Sequence, residues 1–297
     1  MPCYHPQTGY YSKDANPETG RRPIVFSPQL SLSGIPLKLP CGQCIGCKLE
    51  RSRQWAVRLL HEAKLHDRSA FLTLTYADKN IPASSSLVKT DVQKFMKRLR
   101  RQRPTGLRFF ACGEYGETTG RPHYHVLLLN TDFPDRRLFK RSKTDMDHLY
   151  VSSELSDIWT VGNSAIGNVT FESCAYVARY VTKKLSGPAG AMYYAGAGIE
   201  PEFATMSLRP AIGGPQFVKY SAEWYKFDAA VLQGKEVPLP RYYDKLYEVL
   251  DPVRYKRVKL DRSIRALKNK AENTLERRRV REAFEERKQR RFAREVS

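Results

Sequence analysis

An α+β fold is predicted: a central antiparallel sheet flanked by helices, with an irregular N-terminal arm and a basic C-terminal helix. Three observations lead to it. Residues 71–76 alternate large apolar side chains with threonine, the period-two pattern of a half-buried strand. Residues 107–113 and 125–129 are two apolar runs joined by a Gly-rich turn, which reads as a hairpin. Val92, Phe95, Met96 and Leu99 recur at helical spacing, with Lys94, Lys97, Arg98, Arg100 and Arg101 on the other side.

Taken in order, residues 1–40 are rich in Pro, Gly, Ser and Tyr without a sustained period, so residues 1–44 form the irregular arm. Residues 45–66 are predicted helical, with an apolar stripe of Leu49, Trp55, Leu59 and Leu60 among Arg51, Arg53 and Arg58. After the 71–76 strand comes a polar loop over 77–86. Thr90 or Asp91 can cap the next helix, which Pro104 and Gly106 end. Residues 149–159 are expected to be helical, 165–171 a strand and 172–185 a helix. Strand, helix, hairpin, helix, strand and helix on one sheet complete a domain over residues 45–186. Residues 187–250 are expected to form a Gly- and Pro-rich lobe rather than a second sheet, and 251–297 a long basic helical tail.

The chain has 297 residues, enough for one sizeable domain with appendages. Its 51 Lys and Arg against 31 Asp and Glu leave a formal charge of +20, an excess that self-repels unless it faces a polyanion. Residues 252–297 hold 17 basic against 7 acidic residues, half of that surplus. No apolar run reaches about 18 residues, and the opening Met1-Pro2-Cys3-Tyr4-His5-Pro6 lacks a signal-peptide layout, so a cytoplasmic protein without a membrane partner is expected.

His123 and His125 lie two apart at the start of a strand, so both imidazoles project from one face, half of a metal site. Glu114 ends the strand expected to pair with theirs and can reach the same face; Glu117, in the turn, is the weaker third ligand. Two imidazoles and a carboxylate with open positions suit Mn²⁺ or Mg²⁺ activating a phosphate, although imidazoles also accept Zn²⁺. Tyr176 and Tyr180 are four apart on a helix and present two phenols side by side. In a chain with 17 tyrosines such a pair is ordinarily packing. Lys183 and Lys184, three and four residues after Tyr180, argue otherwise, since an ammonium over the phenols can stabilise a tyrosinate or a scissile phosphate. If neither tyrosine serves, Tyr115 and Tyr124 are next.

Through these motifs the chain resembles the replication initiation proteins of gokushovirus-type microviruses, small circular single-stranded DNA phages, and so the HUH endonucleases. The resemblance covers nearly the whole length, through the Pro2 to Pro6 opening, the Cys41 to Trp55 stretch, Phe95 to Leu99, Gly113 to His125, Tyr176 to Lys183 and Gly198 to Phe203. It implies an HUH-like sheet, a metal on His123, His125 and Glu114, and catalytic Tyr176, Tyr180 and Lys183. It also implies a mechanism in which one tyrosine attacks the origin, leaving a 5′-phosphotyrosine and a free 3′-OH. The second tyrosine then cuts the regenerated origin and a circle closes, without ATP. The partners implied are single-stranded and nicked circular DNA at the phage origin and a host helicase and polymerase, in the host bacterial cytoplasm. A transposase of the same chemistry is the alternative enzyme, disfavoured by the paired tyrosines. A non-catalytic basic nucleic-acid-binding protein is the alternative of another class.

Cys41, Cys44 and Cys47 at spacing three, with Gly42 and Gly46 permitting the turns, suggest a structural Zn²⁺ in a reducing compartment. A fourth ligand is needed. Cys3, His5 or Cys112 could supply it, with Cys3 first; reduced thiols at a helix start are the plainer reading. The basic residues of 89–103 and 252–297 are solvated faces by default, but on a +20 chain they suit phosphate contacts, with Tyr and Phe to stack on bases.

Overall fold

The computed structural model describes residues 3–103, 105–116, 118–141, 148–180, 185 and 187–296, with the backbone alone at residue 180 and from 290 on. It forms two compact units, Met1–Glu50 with Asp261–Ser297, and Arg51–Leu260. In the first unit the arm is mostly irregular. Three short strands, β1 (Gln7–Tyr11), β2 (Ile24–Val25) and β3 (Leu37–Leu39), pair antiparallel in the order β2-β1-β3. They are too short and too polar to show a period. Helix α1 (Ile45–Ala63) follows.

The second unit holds a seven-stranded sheet built of antiparallel pairs. Its strands are β4 (Ser69–Thr75), β5 (Arg108–Tyr115), β6 (Pro122–Leu129), β7 (Arg137–Lys140), β8 (Leu149–Val151), β9 (Ser164–Gly167) and β10 (Phe203–Met206), in the order β10-β5-β6-β4-β9-β8-β7. One face carries Ala70, Leu72, Leu74, Tyr124, Val126 and Leu128, all fully buried. Against it pack α2 (Lys89–Gln102), through Val92, Phe95, Met96 and Leu99, and α3 (Ser153–Ile158), through Leu155 and Ile158. Each such side chain stabilises the fold by about 1.5–3 kcal/mol. The opposite face carries Phe110, Cys112, Leu127 and Leu129 and is covered by Leu59 of α1 and by Cys174 and Val177 of α4 (Phe171–Tyr180).

Several boundaries differ from expectation. Residues 149–159 divide into β8 and α3, because Ser152 accepts a hydrogen bond from the Leu155 N–H and caps a new helix. The strand expected over 165–171 ends at Gly167. Thr170 and Ser173 then exchange hydrogen bonds, the Ser173 N–H to Thr170 Oγ1 at 3.1 Å and the Thr170 N–H to Ser173 Oγ at 2.8 Å, which starts α4 at Phe171. The expected extension of that helix to 185 lies largely outside the described residues. Neither Thr90 nor Asp91 caps α2, which begins at Lys89 behind Val88; Asp91 instead accepts from the Tyr76 hydroxyl at 2.7 Å.

The 187–250 segment is more than a Gly- and Pro-rich lobe. Besides α5 (Gly187–Ala197) it contributes β10, an edge strand of the main sheet beside β5. It continues through α6 (Gly214–Phe227), a hairpin of β11 (Ala230–Leu232) and β12 (Lys235–Val237), and α7 (Arg241–Leu250). Gln233 and Gly234 turn that hairpin with φ of 48° and 74°. Phe217, Trp224 and Tyr225 of α6 pack on Tyr243 and Tyr247 of α7, and on Tyr255 and Val258 of α8 (Pro252–Lys268). The basic tail is helical in two pieces, α8 and α9 (Leu275–Val296), separated around a short 3-10 turn at Ala271–Asn273. No helix among the described residues is long and apolar enough to cross a membrane.

Candidate metal centre and tyrosine helix

The β5–β6 hairpin fixes the histidines against the glutamate. Gly116 donates to the Arg121 carbonyl at 3.0 Å, and Gly120, at φ +64°, donates back to Gly116. That closure sets Glu114 directly opposite His123 and Cys112 opposite His125. All four point to the face that α4 covers, while Tyr124, between the histidines, points to the other and hydrogen-bonds Tyr76 at 2.7 Å. Tyr115 also looks away, donating to the Glu200 carbonyl at 2.6 Å.

The three groups converge on one point. Glu114 Oε1 lies 2.7 Å from His123 Nε2 and 3.0 Å from His125 Nε2. His123 Nδ1 is 3.1 Å from the Arg121 carbonyl, which can only accept, so that nitrogen carries a proton. In a neutral ring Nε2 would then face a carboxylate oxygen lone pair to lone pair, so at 2.7 Å a proton is shared between them, and a bound ion would take that proton's place with the two atoms slightly farther apart. Burial alone would raise the Glu114 carboxyl; hydrogen bonds and charge from His123 and His125 outweigh that and hold it at about 2. Two imidazole nitrogens, each ring supported at its other nitrogen, and an anionic oxygen are a donor set that fits Mn²⁺ or Mg²⁺. Side-chain exposure is 4% for Glu114, 6% for His125 and 18% for His123, so the cluster opens on the His123 side.

Residues not singled out in the sequence complete the surroundings. Thr73 of β4 lies opposite His125, its Oγ1 3.2 Å from Nδ1. Phe71, two residues earlier on the same face, stacks on the His125 ring at 5.4 Å and 9°. The alternation of residues 71–76 signalled a strand, but its pairing with a segment some fifty residues away has no local signature.

Tyr176 is held beside this cluster by α4, whose Cys174 and Val177 are buried in the core. Its ring meets His125 edge-on at 5.1 Å and 85°, and Arg179 lies 5.5 Å from its centroid. Tyr180 ends the described helix one turn on. Its side chain, Lys183, Lys184 and Glu117 lie outside the described residues, so the ammonium expected over the phenols and the turn glutamate have no geometry here.

The cysteine run lies in the first unit. Cys3, Cys41, Cys44 and Cys47 bring their four sulfurs within 4.8 Å of one another. His5 instead pairs with Glu282 at 2.7 Å, and Cys112 is a buried residue of β5 in the second unit.

The family model for replication-associated protein ORF2/G2P matches residues 69–185, the stretch holding both histidines, Glu114 and both tyrosines. Replication-associated protein VP4 of Bdellovibrio phage phiMH2K is 33% identical over 245 residues, 78% of this chain and 74% of that protein. Replication-associated protein ORF2 of Spiroplasma virus 4 is 31% identical over 242 residues, 75% of this chain and 73% of that protein. Replication-associated protein ORF4 of Chlamydia phage 1 is 28% identical over 226 residues, 71% of this chain and 54% of that protein. No solved structure matches. On these similarities the chain belongs to the replication-associated proteins of microvirus-type phages.

Proposed function

We propose that this protein nicks and rejoins phage DNA at the replication origin through a 5′-phosphotyrosine intermediate, and so starts rolling-circle replication. The observation that carries the reading is the convergence of His123 Nε2 and His125 Nε2 on Glu114 Oε1, at 2.7 and 3.0 Å, with the Tyr176 ring 5.1 Å from that of His125. A single-stranded origin enters from the exposed His123 side. The phenol oxygen of Tyr176 or Tyr180 attacks the scissile phosphorus and the bond to the 3′ oxygen breaks. The phenol proton ends on that oxygen, leaving a free 3′-OH for a host polymerase. One phosphodiester replaces another, so no nucleotide is consumed. The second tyrosine cleaves the regenerated origin, and the released 3′-OH attacks the first linkage to close a circle.

His123, His125 and Glu114 would hold Mn²⁺ or Mg²⁺, which supplies positive charge to the phosphoryl oxygen when bound. The chain's own residues do the rest. Thr73 and the Arg121 carbonyl fix the two imidazoles from behind. Phe71 and His125 hold the Tyr176 ring, and Arg179 favours its anionic form. We assign Lys183 to the same phosphate or tyrosinate. Helix α2 packs on the face opposite the histidines, so its lysines and arginines would hold flanking strands and not the scissile phosphate. A host helicase to open the duplex and a place of action in the bacterial cytoplasm belong to the same proposal.

The test is cleavage of single-stranded DNA carrying the phage origin, with Mg²⁺ or Mn²⁺. Tyr176→Phe and Tyr180→Phe should each still nick but fail to close circles, because a cycle needs one tyrosine bound and one free; the double variant should form no adduct. Full circle production by a single variant would show that one tyrosine suffices. Binding without any metal-dependent cleavage would favour the non-catalytic reading.

A further inference from the structure

We propose that Cys3, Cys41, Cys44 and Cys47 bind one zinc ion, and that this ion organises the unit formed by the N-terminal arm and the basic tail. The inference is independent of the tyrosine chemistry. Four thiolates around zinc at about 2.3 Å stand about 3.8 Å apart at the corners of a tetrahedron. The four sulfurs already lie within 4.8 Å of one another and no disulfide joins them. That spacing suits a single ion; an iron–sulfur cluster puts its own irons and sulfides between the cysteines and spreads them wider.

The backbone is arranged for anionic sulfur. The Cys41 N–H points at Cys3 Sγ at 3.2 Å, the Cys44 N–H at Cys41 Sγ at 3.3 Å and the Tyr4 N–H at Cys44 Sγ at 3.4 Å. Such donors stabilise thiolates and orient them for a metal. Gly42 makes the turn at φ +77°, and Cys47 sits in the first turn of α1, where the helix N-terminus also favours negative charge. Without a cation, four sulfurs this close cannot all ionise; binding releases their protons and neutralises two of the charges.

The unit also needs such a staple. Among its described residues the buried apolar side chains are Tyr4 and Cys47 alone, and it carries 18 Lys and Arg against 10 Asp and Glu. An apolar core that small cannot offset the entropy of ordering the chain, and charge repulsion adds to the deficit. Tyr4 and His5 follow directly on Cys3, and His5 pairs with Glu282 of α9, so the metal would fix the segment that meets the basic helix.

Metal analysis of the full chain, purified without chelator, should find about one zinc per chain. Cobalt substitution should give the visible bands and sulfur-to-metal charge transfer of a tetrahedral thiolate site. Cys3→Ser and Cys44→Ser should lose the metal, while Cys174→Ala keeps it. Chelation should deprotect residues 3–12 and 37–50 in hydrogen exchange and leave β4–β6 unchanged. Should the serine variants fail to fold, the metal content and cobalt spectrum of the parent chain still decide. Folded protein without zinc, iron in its place, or two disulfides by thiol titration would overturn the assignment.

Discussion

Replacing Thr73 by valine probes how His125 is held. Thr73 faces His125 across the β4–β6 pair, and its hydroxyl is the side-chain partner of Nδ1 at 3.2 Å. Valine keeps the branched shape that a strand favours, so the loss is one hydrogen bond, about 1 kcal/mol of stability. On the proposed chemistry the larger effect falls on the metal. Removing an outer partner of a ligating histidine costs about 10–100-fold in affinity or activity. Here the low end is expected, because Phe71 stacks on the ring at 9° and the Tyr176 edge abuts it, so the ring stays in place and loses only basicity. In a Mn²⁺ titration of origin nicking, the midpoint should rise about 10-fold while the rate at saturating metal stays near the parent's. An unchanged midpoint would refute the role of Thr73, and a loss that excess metal does not restore would move its role to the nucleophile or the DNA.

Three further outcomes follow from the same geometry. Alanine at His123 should abolish nicking while DNA binding survives, since the proposed metal would serve the transition state more than the ground state; equal losses of both, read by gel shift and cleavage, would contradict it. Burial, with Lys64 adding to it, pushes His61 down from 6.5 to about 4, its ring lying 4.6 Å from that of Trp224. With the folded value below the unfolded one, its contribution is complete above pH 6.5 and is lost towards pH 4, by about 3 kcal/mol. Chemical unfolding of His61→Phe should therefore show a flatter acid limb than the parent, and identical slopes would exclude His61. At Gly162 an added Cβ would lie 2.0 Å from the Thr75 carbonyl oxygen and 2.5 Å from the Ala77 nitrogen, both main chain, so Gly162→Ala should cost about 2 kcal/mol or more; an unchanged melting temperature would show that the loop gives way.

The parts of the fold and site legible in the sequence are those with a local period. His123 and His125 show their shared face by spacing alone, and the Gly-rich turn puts Glu114 across from them. Val92 to Leu99 shows its stripe directly. What is hidden depends on pairings between distant segments. Thr73 and Phe71 reach His125 only through the register of β4 with β6, and nothing within either strand encodes that register. Strand β10 is four residues after a Gly-rich stretch, and it reads as a strand only once β5 is beside it. Cys3 stands first among the candidate partners of the cysteine run by residue type, but only the fold of the arm brings it there from 38 positions away. The break between α8 and α9 has no glycine or proline to mark it; its signal is the weaker one of Asn269, Asn273 and Thr274, the last accepting from the Arg277 N–H at 3.3 Å at the start of α9.

The most direct test of the proposed chemistry is to map the covalent bond. Protein incubated with origin-bearing single-stranded DNA and Mn²⁺ should yield a denaturant-resistant adduct whose nucleotide, located by mass spectrometry after digestion, sits on Tyr176 or Tyr180. The adduct should vanish with chelator and with His125→Ala. A nucleotide on any other residue, or cleavage with no adduct at all, would contradict the account.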